Sequence, residues 1–200
     1  MANYRFEQIA RECRTTHKGS KAGIPIVGLE HIEPKEMNVT AFEIDTDNTF
    51  TKSFKKGQVL FGRRRAYQQK AGVATFDGIC SGDITVLEPI EGTIEPRLFP
   101  FIVQNEKFFE HAVKGSAGSL SPRVKWEHLA NYEFALPPIE EQRKLADKLW
   151  AAYRLKEAYK RLLAATDEMV KSQFIEMFGN PLASTQKYPL QRLGDCCVIN

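Results

Sequence analysis

The 200-residue sequence has four cysteines, and none stands in a Cys-x-x-Cys pair or at any metal-ligand spacing: Cys13 and Cys80 are isolated, and Cys196 and Cys197 are adjacent. That excludes a zinc ribbon or a disulfide framework, and reduced thiols in a bacterial-type cytosol are the expected state. No apolar run reaches the roughly 18–20 residues that cross a bilayer, and the segment from Met1 to Phe6 lacks the apolar core of a signal peptide, so a soluble cytoplasmic protein with no membrane partner is expected. There is no Gly-rich Walker loop and no Rossmann fingerprint. The four histidines, His17, His31, His111 and His128, share no ligand spacing and read as surface or capping residues. Asn180, Pro181 and Leu182 match the start of an amino-methyltransferase motif but lack its second proline and the aromatic that stacks a flipped base. No Asp…Glu-x-Lys nuclease pattern occurs in a strand setting. Catalysis, metal and cofactor sites have no candidate.

Net charge is also scant, +3, but its distribution is uneven. Glu30, Glu33, Glu36, Glu43, Asp45 and Asp47 crowd one stretch. The next, from Thr51 to Phe76, carries Lys52, Lys55, Lys56, Arg63, Arg64, Arg65 and Lys70 with a single acid-free run up to Phe76. A basic block within a near-neutral chain suits a polyanion, or else is a solvated surface.

Residues 1–136 read as a mixed α and β domain. Ile24 to Val27, Gln58 to Phe61, Asp83 to Leu87 and Tyr132 to Leu136 are short strand candidates bounded by Gly and Pro. Glu95 to Val113 reads as helix broken near Pro100 and stopped by Gly115, and Ser121-Pro122 reads as the start of a short helix through about Leu129. From 137 to 179 the regime changes. Pro138 suits a helix start, Glu140 and Glu141 suit its positive end, and neither Pro nor Gly recurs until Gly179. Leu145, Leu149, Ala152, Leu155, Tyr159, Leu162, Thr166, Met169 and Gln173 alternate at three- and four-residue steps, the seam of a coiled coil. A Leu-sized side chain contributes about 1.5–3 kcal/mol when buried, so such a stripe calls for another long helix, from a second copy or a second half. Residues 180–200 then restart the beginning: Tyr188, Leu190, Leu193, Gly194 and Cys197 align with Tyr4, Phe6, Ile9, Ala10 and Cys13, as in a tandem repeat.

Two segments carry nucleic-acid chemistry. In the first, Arg63, Arg64 and Arg65 offer forked donors for phosphate or a guanine edge, Gln68 and Gln69 match adenine, Tyr67 offers a flat face, and Lys70 adds charge. Alternation out of the preceding strand aims neighbouring arginines to opposite faces, so the three cannot share one role. The second runs from Lys114 to Lys125: a loop containing Ser116 and Ser119 whose backbone N–H groups suit a phosphate, flanked by Lys114, Arg123 and Lys125, or else a plain connector.

These motifs, in this order, resemble target-recognition domains of type I restriction–modification specificity subunits. The run from Gly57 to Lys70, Gly78 to Asp83, the Gly/Ser loop with Pro122 and Arg123, the helix opening from Leu136 to Gln142, and Phe178 to Pro181 carry the resemblance. It implies an α+β recognition domain followed by a long coiled-coil-forming helix, with no catalytic centre of its own. It also implies that such a domain reads one half of a bipartite duplex DNA target while the helix sets the spacing. Methyltransferase and motor-nuclease subunits dock on it, and S-adenosylmethionine, ATP and Mg belong to those partners. With one recognition domain present, two copies pairing through Leu145–Met169 are expected. A coiled-coil interaction module that never touches DNA, or the recognition fragment of a fused methyltransferase, are the alternatives.

Overall fold

A computed structural model describes residues 2–118, 120–180 and 191–192. The repeat expected from Tyr188 lies outside the described residues, as do Ser119, Cys196 and Cys197. The chain forms two units that meet in sequence between Leu149 and Trp150.

The first unit opens with β1 (Ala2–Arg5), α1 (Phe6–Ile9), β2 (Ala10–Cys13), β3 (Ile26–Val27) and β4 (Asn38–Val39). It continues with β5 (Lys52–Phe54), β6 (Val59–Gly62), β7 (Ala71–Ala74), β8 (Gly78–Cys80) and β9 (Ile84–Pro89). Helices α2 (Phe99–Val103) and α3 (Glu106–Lys114) follow, then β10 (Ser116–Ala117), β11 (Arg123–Val124), α4 (Trp126–Ala130) and β12 (Glu133–Leu136). The main sheet has the order β2-β9-β6-β7-β4, antiparallel except for β4 against β7, and a second sheet has the order β3-β8-β5.

Strand β6 shows why the sequence here is apolar without a break. All four of its residues are buried because its sheet is covered on both sides. Leu60 enters a cluster with Val27, Val39, Phe54, Ile84 and Val86. Phe61 meets Phe108 and Phe109 of α3, its ring 5.7 and 5.3 Å from theirs, and Phe6 closes on Phe108 at 4.7 Å. In β9, Ile84 to Leu87 are likewise all buried, for the same reason. Gly78 permits the second sheet: a Cβ there would sit 2.5 Å from the Pro25 carbonyl oxygen and 2.8 Å from Phe54.

Two helix expectations change. The break between the paired helices falls at Gln104 and Asn105, not at Pro100, which sits in the first turn of α2 where its missing N–H costs nothing. Asn105 caps α3 by accepting the Lys107 N–H at 2.9 Å. Ser121-Pro122 opens no helix; the chain is extended through β11 and α4 begins at Trp126, because the backbone of 122–124 is held by a distant segment described below.

Helix α5 (Ile139–Phe178) is 40 residues long, about 60 Å at 1.5 Å per residue, and stops at Gly179, whose φ of 86° closes the last turn. Its opening belongs to the first unit. Gln142 is buried there, its carbonyl accepting the Glu95 N–H (3.0 Å) while its amide donates to the Pro137 carbonyl (2.9 Å). In the second unit, no residue from 150 to 178 is buried. Leu149 is half-buried, and Leu145, Ala152, Leu155, Tyr159, Leu162 and Met169 of the expected seam are exposed, as are Thr166 and Gln173. No helix of the described residues is long and apolar enough to cross a membrane.

Candidate nucleic-acid interface

The two basic segments, some sixty residues apart in sequence, are stitched edge to edge. Leaving β6, the backbone of Arg63 to Arg65 runs antiparallel to Pro122–Val124: the Arg65 N–H donates to the Pro122 carbonyl at 2.8 Å and the Val124 N–H to the Arg63 carbonyl at 3.0 Å. On the other side of Arg123 lies β10, with Ala117 opposite Arg123 and Ser116 opposite Val124. A three-ply strip results, composed almost entirely of the residues singled out from sequence.

Asp83 fastens this strip. Its carboxylate accepts Arg123 Nε at 2.6 Å and Arg64 Nη1 at 3.4 Å, and its main-chain carbonyl accepts the Arg63 N–H at 2.9 Å. The Arg123 hydrogen bond, and then the two nearby guanidinium charges, hold the Asp83 carboxyl below the ordinary carboxylate range against the opposing effect of burial. Arg64 also donates through Nε to the Ser121 hydroxyl. Ser121 caps no helix; its hydroxyl accepts from Arg64 and the chain beyond it is extended.

The remaining candidates separate. Arg65, at φ 53°, and Tyr67 and Gln68, in a 3-10 turn, are exposed. Lys70 turns inward and donates to the Leu29 carbonyl at 2.7 Å. Ser116 is spent on the Ala112 carbonyl at 2.9 Å, and Lys114 is exposed at the last position of α3. Lys125 is exposed and joins Arg63 in a cleft of about 320 Å³ with Glu12, Arg14, Lys52, Trp126 and Glu127. A second cleft shares Arg14 and Lys52 and adds Thr16, Thr49, Thr51, Ser81 and Asp83.

Arg14 and Lys52 carry no motif and were not legible as site residues. Arg14 stands outside both basic segments and Lys52 at the edge of the basic block, and the fold brings both to the cleft with Arg63. The one available signal was Lys52 itself, a charge in an otherwise half-apolar strand. Two of the histidines also differ from the surface or capping role expected. His31 does cap, its Nδ1 accepting the Gly28 N–H at 2.9 Å, and His17 bonds locally to the Ser20 carbonyl. But His111 and His128 are half-buried and stacked at 4.2 Å, each Nε2–H donating to the other's main-chain carbonyl at 2.8 Å. A Cβ on Gly115 would collide with the His128 ring, so that glycine admits the stack.

Burial pushes the Cys80 thiol up to about 12, and burial reinforced by Glu88 does the same for Cys13, so both stay protonated at neutral pH. Among the described residues no group of three or more His, Cys, Asp or Glu could hold a metal ion. What the strip offers is forked donors held at fixed spacing, an arrangement suited to the acceptors of a nucleic acid.

Comparison with known proteins agrees with that chemistry. Residues 11–164 match the family described as the type I restriction modification DNA specificity domain. The chain is 25% identical over 162 residues to the type I restriction enzyme EcoDI specificity subunit of Escherichia coli, covering 77% of this chain and 36% of that protein. Its fold is shared by the HsdS subunit from Thermoanaerobacter tengcongensis (TM-score 0.64, 19% identity, 93% of this chain and 51% of that one). It is shared too by a chain from a solved assembly of a type I R-M system (TM-score 0.67, 17% identity, 93% and 51%). The chain thus spans about half the length of these solved relatives and about a third of the E. coli protein.

Proposed function

Because this chain belongs to the type I restriction–modification DNA specificity domain family, we propose that it reads one half of a divided duplex DNA target for a restriction–modification complex. Reading falls to the strip of Arg64, Arg65, Ser116–Ala117 and Arg123, with Tyr67 and Gln68 beside it; α5 sets the distance to the other half-site. The observation that carries this is the convergence of two distant basic segments on Asp83, which fixes Arg64 and Arg123 relative to each other. Fixed forks discriminate bases, whereas mobile cations only add affinity.

Methyltransferase subunits dock on the chain and motor-nuclease subunits join through the assembly, in the cytoplasm. Methyl donor, ATP and Mg are bound by those partners, and no catalytic step is assigned to this chain. The exposed stripe from Leu145 to Met169 pairs with a second copy, so that two identical readers face a split palindrome. The domain limits that go with this reading are 1–136 for recognition and 137–179 for the spacer, with 180–200 beginning a further repeat.

The test is competition binding by the chain assembled with its methyltransferase partner. One duplex is preferred over random competitor, and affinity falls steeply with salt, by a slope near one unit per phosphate contact. The absence of any preferred duplex overturns the reading. For the pairing, sedimentation at micromolar concentration gives a dimer; a stable monomer in that experiment removes the two-copy arrangement.

A further inference from the structure

We propose that Arg14, Lys52, Arg63 and Lys125 form the seat for one phosphate of the DNA backbone, a site distinct in role from the Asp83-locked arginines beside it. This rests on the DNA-binding reading and assigns it a point of backbone contact. The four residues are scattered in sequence, lying just beyond β2, in β5, just beyond β6 and ahead of α4. The fold nevertheless places all four along one cleft of about 320 Å³.

Three observations select an oxyanion as the occupant. First, the Arg63 Nε is buried and has no hydrogen-bond partner. Its neighbours in the triple-arginine run differ: Arg64 is taken by Asp83 and Ser121, and Arg65 is exposed. A buried guanidinium N–H left without an acceptor is costly, and an incoming anion supplies the acceptor. Second, the charge is unbalanced. Four cations face two acids, Glu12 and Glu127. Glu12 is nearly buried and already committed, 2.8 Å from Arg14 and 3.9 Å from Lys52, while Glu127 stands 3.9 Å from Arg14. An excess of two positive charges remains for a phosphodiester. Third, the seat is braced. Lys52 donates to the Ile84 carbonyl at 2.7 Å, and the Arg63 backbone is held on both sides, to Asp83 and to Val124. A preorganised cation cluster holds an anion without reordering its side chains.

A phosphate contact and a base contact leave different signatures. Loss of a phosphate contact weakens binding to every duplex alike and lowers the salt slope by about one unit; loss of a base contact relaxes sequence preference. The experiment uses the full chain assembled with its methyltransferase partner, with target and random duplexes titrated between about 50 and 200 mM salt. For Arg63→Ala, affinity falls on both duplexes, their ratio is kept, and the loss of affinity across that salt range is about fourfold smaller than in the wild type. Arg63→Lys, which keeps the charge, restores most of the slope. Lys125→Ala, at an exposed position, produces the same signature in weaker form and serves where Arg63→Ala fails to fold. An unchanged salt slope in both alanine variants overturns the seat while leaving the DNA reading intact. So does a variant that binds duplex normally but no longer assembles with the methyltransferase, since the seat then takes an acidic protein segment. Failure of the wild type to bind any duplex counts against the DNA reading instead.

Discussion

The recognition domain and the second half of the long helix bury their apolar residues in opposite ways. In the domain, Phe6, Phe61, Phe99 and Phe108 are fully enclosed by one another and by the sheet. From 150 to 178 the helix carries Leu155, Tyr159, Leu162, Met169 and Phe174 at more than half exposure. One region is folded by its own interior; the other leaves its apolar stripe exposed. The lesson is that hydrophobicity alone does not locate a core. Its period does: aromatic and β-branched residues in short runs between turns close on themselves, whereas a stripe at three- and four-residue steps from Leu145 to Gln173 cannot.

The sharpest way to break this contrast is to truncate one apolar side chain in each region. Phe108→Ala destabilises the domain by about 3–5 kcal/mol, read by denaturant titration. Leu155→Ala in the same titration at high dilution shifts stability by less than about 0.5 kcal/mol. Comparable losses in the two variants would mean that the helix already has an internal partner.

Gln142 marks where one regime hands over to the other, and its replacement sharpens the boundary. Gln142→Leu leaves the Glu95 N–H and the Pro137 carbonyl without partners, at a cost of about 1–3 kcal/mol. Hydrogen exchange should then accelerate across the first two turns of α5 and stay unchanged from 155 to 175. Uniform acceleration along the helix would show that α5 depends on this anchor throughout.

The smallest effect is electrostatic. Because Arg123 and Arg64 depress the Asp83 carboxyl below its ordinary value of 3.8, its ion pairs contribute stability that is complete above that value. The contribution is lost as pH falls through the depressed value. Asp83→Asn is therefore slightly less stable than the wild type at neutral pH, and melting curves of the two converge in strong acid. A gap that persists there would assign the loss to packing, not charge.

Much of the fold was legible because its signals are local. The strands around Leu60 and Val86, the helix start after Pro138 and the stop at Gly179 each follow from residues within a turn or two. What was not legible depends on distant partners. Ser121 and Pro122 have the chemistry of a helix start, but a hydroxyl claimed by Arg64 and a carbonyl claimed by Arg65 hold them extended. The two-residue strand Asn38–Val39, which no run of residues announces, pairs with its parallel neighbour β7. In the candidate interface, the arginine run and Arg123 stood out by composition, but Arg14 is an ordinary surface residue until the sheet brings it beside Lys52 and Arg63. Lys70 shows the converse: a cation in the right motif, directed to a main-chain carbonyl.

One pairing reaches beyond stability. Strand β1 lies antiparallel to β12, Ala2 opposite Leu136 and Arg5 opposite Glu133, so the backbone enters and leaves the recognition domain through adjacent rungs of a single two-stranded clasp. A module fastened this way is a cassette. What lies between the rungs can differ without disturbing the helix that follows only where it keeps both the clasp and the Glu95 N–H that Gln142 accepts.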